Sequence, residues 1–257
     1  MQIIDSHCHL DMVEKRGITF EEISSNLIKN KVESIVQIAA DPDSLEFSKS
    51  LCKEDLPFKR YFTVGCHPGE AHEIDSRIVM QFARDNYNDS HLVAIGEIGL
   101  EYFYTKETAT IQKQVFREYM NLAQELDLPV VIHTREAHED TMNILHSYAG
   151  VPILIHCFTG NRQQALDYLE LGCYISFSGI VTFKNADSLR EAALVVPPEK
   201  MLVETDAPFL APVPKRGKTN QPAYVRYTLQ FLANLKGISE EELAGKTYHN
   251  TKAFYRI

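Results

Sequence analysis

Gln2-Ile3-Ile4-Asp5-Ser6-His7-Cys8-His9-Leu10-Asp11 opens the chain. The run Gln2 to Asp5 reads as a short strand. Side chains of a strand alternate between its two faces, so His7 and His9 point one way and Cys8 the other. Two imidazoles on one face at the end of a strand can share a metal ion. Whether they do depends on what stands at the ends of the other strands.

Outward from this stretch, the hydrophobic period switches regularly between two and 3.6 residues. Strands are expected at Ser34 to Ala39, Tyr61 to Cys66, Leu92 to Gly96, Val130 to His133, Pro152 to His156, Tyr174 to Phe177 and Met201 to Glu204. Helices are expected between them: Thr19 to Lys31, Asp43 to Lys53, Ser76 to Tyr87, Thr108 to Leu126, Ala137 to Tyr148, Arg162 to Leu171 and Ala186 to Val195. Tyr224 to Leu235 and segments from Ser239 onward complete the set. Thr19, with Glu22 three residues on, carries an N-cap signature. Several strands are unbroken apolar runs, as in a parallel sheet buried on both faces. Eight such units predict an α/β fold of the (β/α)8 barrel type, one domain over residues 1–257, with its site at the C-terminal ends of the strands. A doubly wound open sheet is the alternative, with ligands at one switch point instead of around a ring.

The 257 residues carry 26 Lys and Arg against 35 Asp and Glu, a net charge of −9. That global field repels polyanions, so nucleic acid has to be held by local contacts or by cations. Five scattered cysteines without a C-x-x-C pair predict reduced thiols. Cys8, Cys66 and Cys157 each adjoin a histidine, and alternation predicts that each faces away from it, buried. Neither a leader-like N-terminus nor a membrane-length apolar run is seen, which predicts a soluble cytoplasmic protein, expected to be a monomer.

The polar residues at the expected strand ends form a set: His7 and His9, His67, Glu97, His133, His156, then Glu204 and Asp206. Five of the ten histidines fall there. Four histidines and two carboxylates exceed the three protein ligands of a typical catalytic zinc and suffice for two divalent cations with open positions. Glu97, central in strand order, is the candidate bridge. Nitrogen and oxygen donors without thiolate admit Zn, Mn or Mg. Asp206 can both ligate and take a proton from a bound water, as general base. Glu204, two residues earlier, reads as an orienting group or a base. His67 is a candidate donor to the substrate, and Arg135, on the face of His133, a candidate phosphate fork.

Asp5-Ser6-His7-Cys8-His9-Leu10-Asp11, Gly65-Cys66-His67-Pro68, Gly96-Glu97-Ile98-Gly99-Leu100, His133-Thr134-Arg135, His156-Cys157-Phe158-Thr159-Gly160 and Glu204-Thr205-Asp206-Ala207-Pro208 together resemble the TatD family of metal-dependent deoxyribonucleases. The likeness runs to Asn250-Thr251-Lys252-Ala253-Phe254. It implies a barrel with one or two divalent ions, one on His7, His9, Glu97 and Asp206 and the other on Glu97, His133 and His156. It also implies hydrolysis of DNA phosphodiesters, often from the 3′ end of single strands. Where the family often has Gly-Leu-Asp-Tyr, this chain has Gly99-Leu100-Glu101-Tyr102. Tyr102, Phe103, Tyr104 and Phe158 are candidates for stacking on bases, and Lys215-Arg216-Gly217-Lys218 for phosphate contact. Two other classes stay open. One is a hydrolase of the same scaffold acting on an ester or amide such as aminoacyl-tRNA; the other is a barrel that binds metal without turnover.

Overall fold

The apolar runs pair side by side in the order in which they occur. The computed structural model describes residues 1–257. Its strands are β1 (Ile3–Cys8), β2 (Val32–Ala39), β3 (Lys59–Val64), β4 (Leu92–Glu101), β5 (Val130–Arg135), β6 (Ile153–Ile155), β7 (Tyr174–Phe177) and β8 (Met201–Val203). All neighbours are parallel, in the order β1 to β8. The helices are α1 (Leu10–Lys15), α2 (Phe20–Asn30), α3 (Pro42–Leu51), α4 (Ser76–Asn86), α5 (Tyr102–Thr105), α6 (Ala109–Leu126), α7 (His138–Leu145), α8 (Arg162–Glu170), α9 (Asp187–Val195), α10 (Val225–Lys236) and α11 (Glu240–Tyr255). This is the (β/α)8 barrel, not the open sheet.

The larger core lies between strands and helices, and a smaller one fills the barrel with Val36, Ile38, Val93, Ala94, Val131, Leu154 and Leu202. Phe254 and Tyr255, from the last turn of α11, join this inner core, and the Tyr255 hydroxyl donates to the Ser6 carbonyl at 2.9 Å. Helix starts follow local chemistry. The Thr19 hydroxyl accepts from the Glu22 amide, and Asp41 forms a capping box with Ser44.

The ladder does not run from β8 back to β1. Closure is by one bridge, Cys8 with Ala207, and by side chains. Buried Asp5 accepts from the Thr205 amide at 2.8 Å and meets its hydroxyl at 2.5 Å, while Ser6 Oγ donates to the Val203 carbonyl at 3.0 Å. Two elements were not expected: α1, and α5 directly after β4. β4 also runs five residues past the expected end at Gly96, for a reason that bears on the site.

Candidate metal centre and active site

Strand β4 pairs Ile95 with Val130 but Ile98 with Ile132, so three steps on β4 match two on β5. The extra residue is a bulge, which re-aims side chains and bends the strand. Gly96 and Gly99 make it feasible, with φ of +153° and +140°. A Cβ at Gly99 would stand 2.0 Å from the His133 carbonyl oxygen. The glycines that read as a strand end are therefore what lets the strand continue and turn Glu97 into the barrel mouth. β1 does the same: Asp5 pairs with Ile35 and Cys8 with Gln37, an extra residue just before the histidines. His9 lies past the strand, its amide bonded to the Ala207 carbonyl at 2.8 Å. Asp206 has φ of +54°, and its amide bonds to the His7 carbonyl at 3.0 Å.

These devices gather all six expected ligands. Nε2 of His7 is 3.9 Å from Glu97 and 3.7 Å from Asp206, and Nε2 of His9 is 3.7 Å and 3.5 Å from the same two carboxylates. Such distances are too long for hydrogen bonds. Donors about 2.1 Å from one ion at a tetrahedral angle stand roughly 3.4 Å apart, so the spacing suits a shared cation. Across Glu97, Oε2 is 2.7 Å from His156 Nε2 and 3.7 Å from His133 Nδ1, and those two nitrogens are 3.3 Å apart. Both ring nitrogens of fully buried His7 lack any hydrogen-bond partner. An imidazole left so is unusual in a protein interior unless an ion completes it. The donor set thus fits a divalent cation, with His7, His9, Glu97 and Asp206 on one side and Glu97, His133 and His156 on the other.

The charges are arranged accordingly. Burial pushes the Glu97 carboxyl up, but His156 and His133 outweigh it and hold Glu97 well below the usual carboxylate range. For His156 burial opposes the charge, yet Glu97 and Glu204 raise it well above the usual imidazole value. His7, stacked on His156 at 4.0 Å, is held low by burial and by that neighbour's charge.

Groups behind the ligands aim them. Glu204, fully buried, lies 3.4 Å from His156 Nδ1 and accepts from the Ser176 hydroxyl. It sits beside His156 with no exposed surface, a placement that suits the orienting role of the two expected ones, and its free oxygen lies close enough to His7 and His156 to share an ion with them. His67 packs edge-on to His133 at 4.6 Å, and its Nδ1 accepts from the Gly69 amide at 3.1 Å. Burial and the charge on His133 bring His67 down to about 4, so near neutral pH it is uncharged with its proton on Nε2.

The expected substrate contacts divide. The Arg135 guanidinium lies 4.1 Å over Phe103 and 4.9 Å over Tyr104, both exposed. Tyr102 is half-buried and its hydroxyl donates to Asp140 at 2.7 Å, so it braces the loop instead of offering a free face. Phe158 is corrected from an exposed platform to a packed residue, 3% exposed, edge-on to Tyr168 and Phe177. The strand period that would have shown its direction stops at Ile155. Of the cysteines, Cys8 and Cys66 join the outer core as expected. Cys157 does not: with φ of +43° it leaves the strand and brings Sγ to 3.2 Å from Ser178 Oγ at the rim.

Sequence reasoning missed Asp5 and Glu101. Asp5 holds the loop that carries Asp206. Glu101 Oε2 meets His133 Nε2 at 3.1 Å, while its Oε1 accepts from the Phe103 and Tyr104 amides. A carboxylate two residues ahead of His7, and another four residues after Glu97, were the available signals.

The chain is similar to known proteins along its whole length. A family model described as TatD related DNase matches residues 4–256. The chain is 40% identical over 263 residues to the metal-dependent hydrolase YcfH of Escherichia coli K12, covering all of this chain and 97% of that one. It is 37% identical over 257 residues to the metal-dependent hydrolase YabD of Bacillus subtilis 168, covering 99% of each. The crystal structure of YJJV, a TatD homologue from Escherichia coli K12, shares the fold with a TM-score of 0.88 at 26% identity, over 99% of this chain and 98% of that one. With six donors converging on one barrel mouth and the likeness running end to end, the chain belongs to the TatD-related DNase family and is a metal-dependent hydrolase.

Proposed function

We propose that the enzyme hydrolyses phosphodiester bonds of DNA, acting from the 3′ ends of single strands, with two divalent cations (Zn, Mg or Mn) per subunit. The observation that carries this reading is the pair of donor groups that share Glu97. His7 faces its Oε2 and His9 its Oε1, with Asp206 against both of those imidazoles, and His133 and His156 face Oε2. Cations held there would polarise the phosphate oxygens and lower the pKa of the attacking water.

The protein's residues do the rest. Asp206, whose carboxylate is partly open to the mouth, takes the proton of the attacking water. The water oxygen forms its bond to phosphorus as the bond to the leaving oxygen breaks, and that proton passes to the leaving oxygen. His67, with its proton on Nε2, donates to a phosphate oxygen. Arg135 donates to the other non-bridging oxygen, its guanidinium held over the Phe103 ring. Exposed Phe103 and Tyr104 offer stacking faces to single-stranded bases. Lys215, beside Tyr224 and Tyr227, and Arg216, over Phe183, add cations in the loop after β8.

The test is digestion of 3′- and 5′-labelled single-stranded oligonucleotides by protein loaded with each metal in turn, beside Glu97→Ala and a panel of esters including aminoacyl-tRNA. Shortening from the 3′ end that is lost in Glu97→Ala supports the reading. Turnover of the ester panel with intact oligonucleotides refutes it in favour of ester hydrolysis.

A further inference from the structure

Beside the metal centre, a pocket of about 260 Å3 opens between the loops that follow β5 and β6. Phe103, Phe158 and Tyr168 give it aromatic surface, and Thr134, Thr159 and Gln164 give it hydroxyls and an amide. Its volume lies just below the roughly 300–1,000 Å3 of pockets for drug-sized ligands, so it has room for one planar heterocycle.

Three features mark it as built for a ligand. The Tyr168 hydroxyl, with the Thr134 and Thr141 side chains as its polar neighbours, makes no hydrogen bond of good geometry, although the residue is 1% exposed. His138, whose Nε2 is tied to Asp167, leaves a buried Nδ1 unpartnered on the same wall. Buried polar atoms are paired as a rule, and each exception calls for a reason. Gly160 is the third: any Cβ there would stand 2.5 Å from Gln164 Oε1 and 2.6 Å from the Phe158 ring. The bare backbone is what lets the amide and the ring close up as one wall.

The chemistry selects the occupant. Glu136 lines the pocket and disfavours an anion. The start of α8 is already satisfied, since Asn161 accepts from the Gln164 amide and Gln164 Oε1 from the Asn161 amide. A neutral ring with donors and acceptors on its edge fits, and a phosphate does not. Arg135, the cation at this pocket, lies two residues after His133 at the end of β5.

We propose that this pocket is a nucleobase subsite: it receives the base of the nucleotide adjoining the scissile phosphate, while Arg135 holds the phosphate. Enzymes that act on single strands read a base in this manner, by its edge and by stacking. The proposal rests on the phosphodiesterase reading above.

The test uses metal-loaded protein with Tyr168→Phe and Gln164→Leu. The substrates are four deoxydinucleotides of differing base and the base-free diester methyl p-nitrophenyl phosphate. Binding of the four deoxynucleoside monophosphates is measured alongside. Tyr168→Phe removes only a hydroxyl that makes no hydrogen bond of good geometry, so its melting temperature is expected to hold or rise. Its KM for dinucleotides should rise about tenfold, with a changed order of base preference, while the base-free diester is cleaved at the parent rate. Equal losses on both kinds of substrate, or no change on either, overturn the subsite. If the parent protein cleaves no diester, the phosphodiesterase reading fails on its own. The monophosphates then decide: parent and variants binding them equally overturns the subsite, and weaker binding by the variants supports it.

Discussion

Replacing Glu101 by Gln tests whether the metal centre depends on the tautomer of His133. Glu101 Oε1 is fixed by the amides of Phe103 at 2.8 Å and Tyr104 at 3.1 Å, so in the variant the amide oxygen must stay there. The NH2 group then faces His133 Nε2, which in the parent meets a carboxylate oxygen at 3.1 Å. To accept from that NH2, the imidazole moves its own proton to Nδ1. Nδ1 is the atom that stands 3.7 Å from Glu97 Oε2 and 3.3 Å from His156 Nε2. A protonated Nδ1 cannot ligate, so the ion on that side loses a donor or must force the amide to turn. Groups that orient a metal ligand typically control a factor of about 10–100 in affinity, or roughly 1.4–2.8 kcal/mol. The metal-free fold should weaken by only about 1 kcal/mol, because the turn of α5 keeps both amide bonds to a now neutral oxygen. Titration calorimetry with Zn2+ and Mn2+ on metal-free parent and variant, with urea unfolding of both, reads the two effects apart. Parent-like affinity for every ion bound by Glu101→Gln would refute the tautomer argument.

Other expectations follow from the same geometry. His9, His133 and His156 all have raised values, each opposed by burial and lifted chiefly by carboxylates: Asp206 and Glu97 for His9, Glu101 and Glu97 for His133, Glu97 and Glu204 for His156. Each must lose its proton to ligate, so affinity rises with pH from the ordinary imidazole value up through the raised ones; a constant Kd between about pH 6 and 8 contradicts this. In the metal-free protein the depressed Glu97 stabilises the fold above the usual carboxylate range, and that contribution is lost as pH falls through its folded value, which acid unfolding followed by circular dichroism will read. Gly99→Ala sets a Cβ against the His133 carbonyl at positive φ and should cost more than about 3 kcal/mol in urea unfolding. Tyr255→Phe removes the hydroxyl's bond to the Ser6 carbonyl inside the barrel and should cost about 1–3 kcal/mol by the same measurement.

The barrel was legible because its signal is repeated and redundant: eight apolar runs, each followed by a helical period, leave little room for another topology. The gathering of the six candidate ligands was legible because strand ends concentrate chemistry in such folds. What stayed hidden had local causes. α1 and α5 span six and four residues, too short for a helical period to emerge. Asp5 acts on Thr205, 200 positions away, and Glu101 on His133, 32 away; no local pattern links such partners. Phe158 follows the last residue of β6, where alternation no longer tells inside from outside.

The centre owes its form as much to irregularity as to the ligands themselves. Regular alternation alone would carry His7 and Glu97 along β1 and β4 in register with their neighbours. An extra residue in each strand just ahead of or at the ligand changes that aim. Between β8 and β1, where the ladder is missing, the buried Asp5 clasp does the work of register and brings the Asp206 amide onto the His7 carbonyl. Two bulges and a clasp, from three separate parts of the chain, thus converge within 3.9 Å on the His7, Glu97 and Asp206 side chains. The glycines of Gly96-Glu97-Ile98-Gly99 and the aspartate of Asp5-Ser6-His7 belong to the metal site through backbone placement, although none of them need touch the ion. It follows that damage to either should weaken metal binding as well as stability, whereas loss of the hydroxyl contact of Tyr255, inside the barrel, should appear as lost stability.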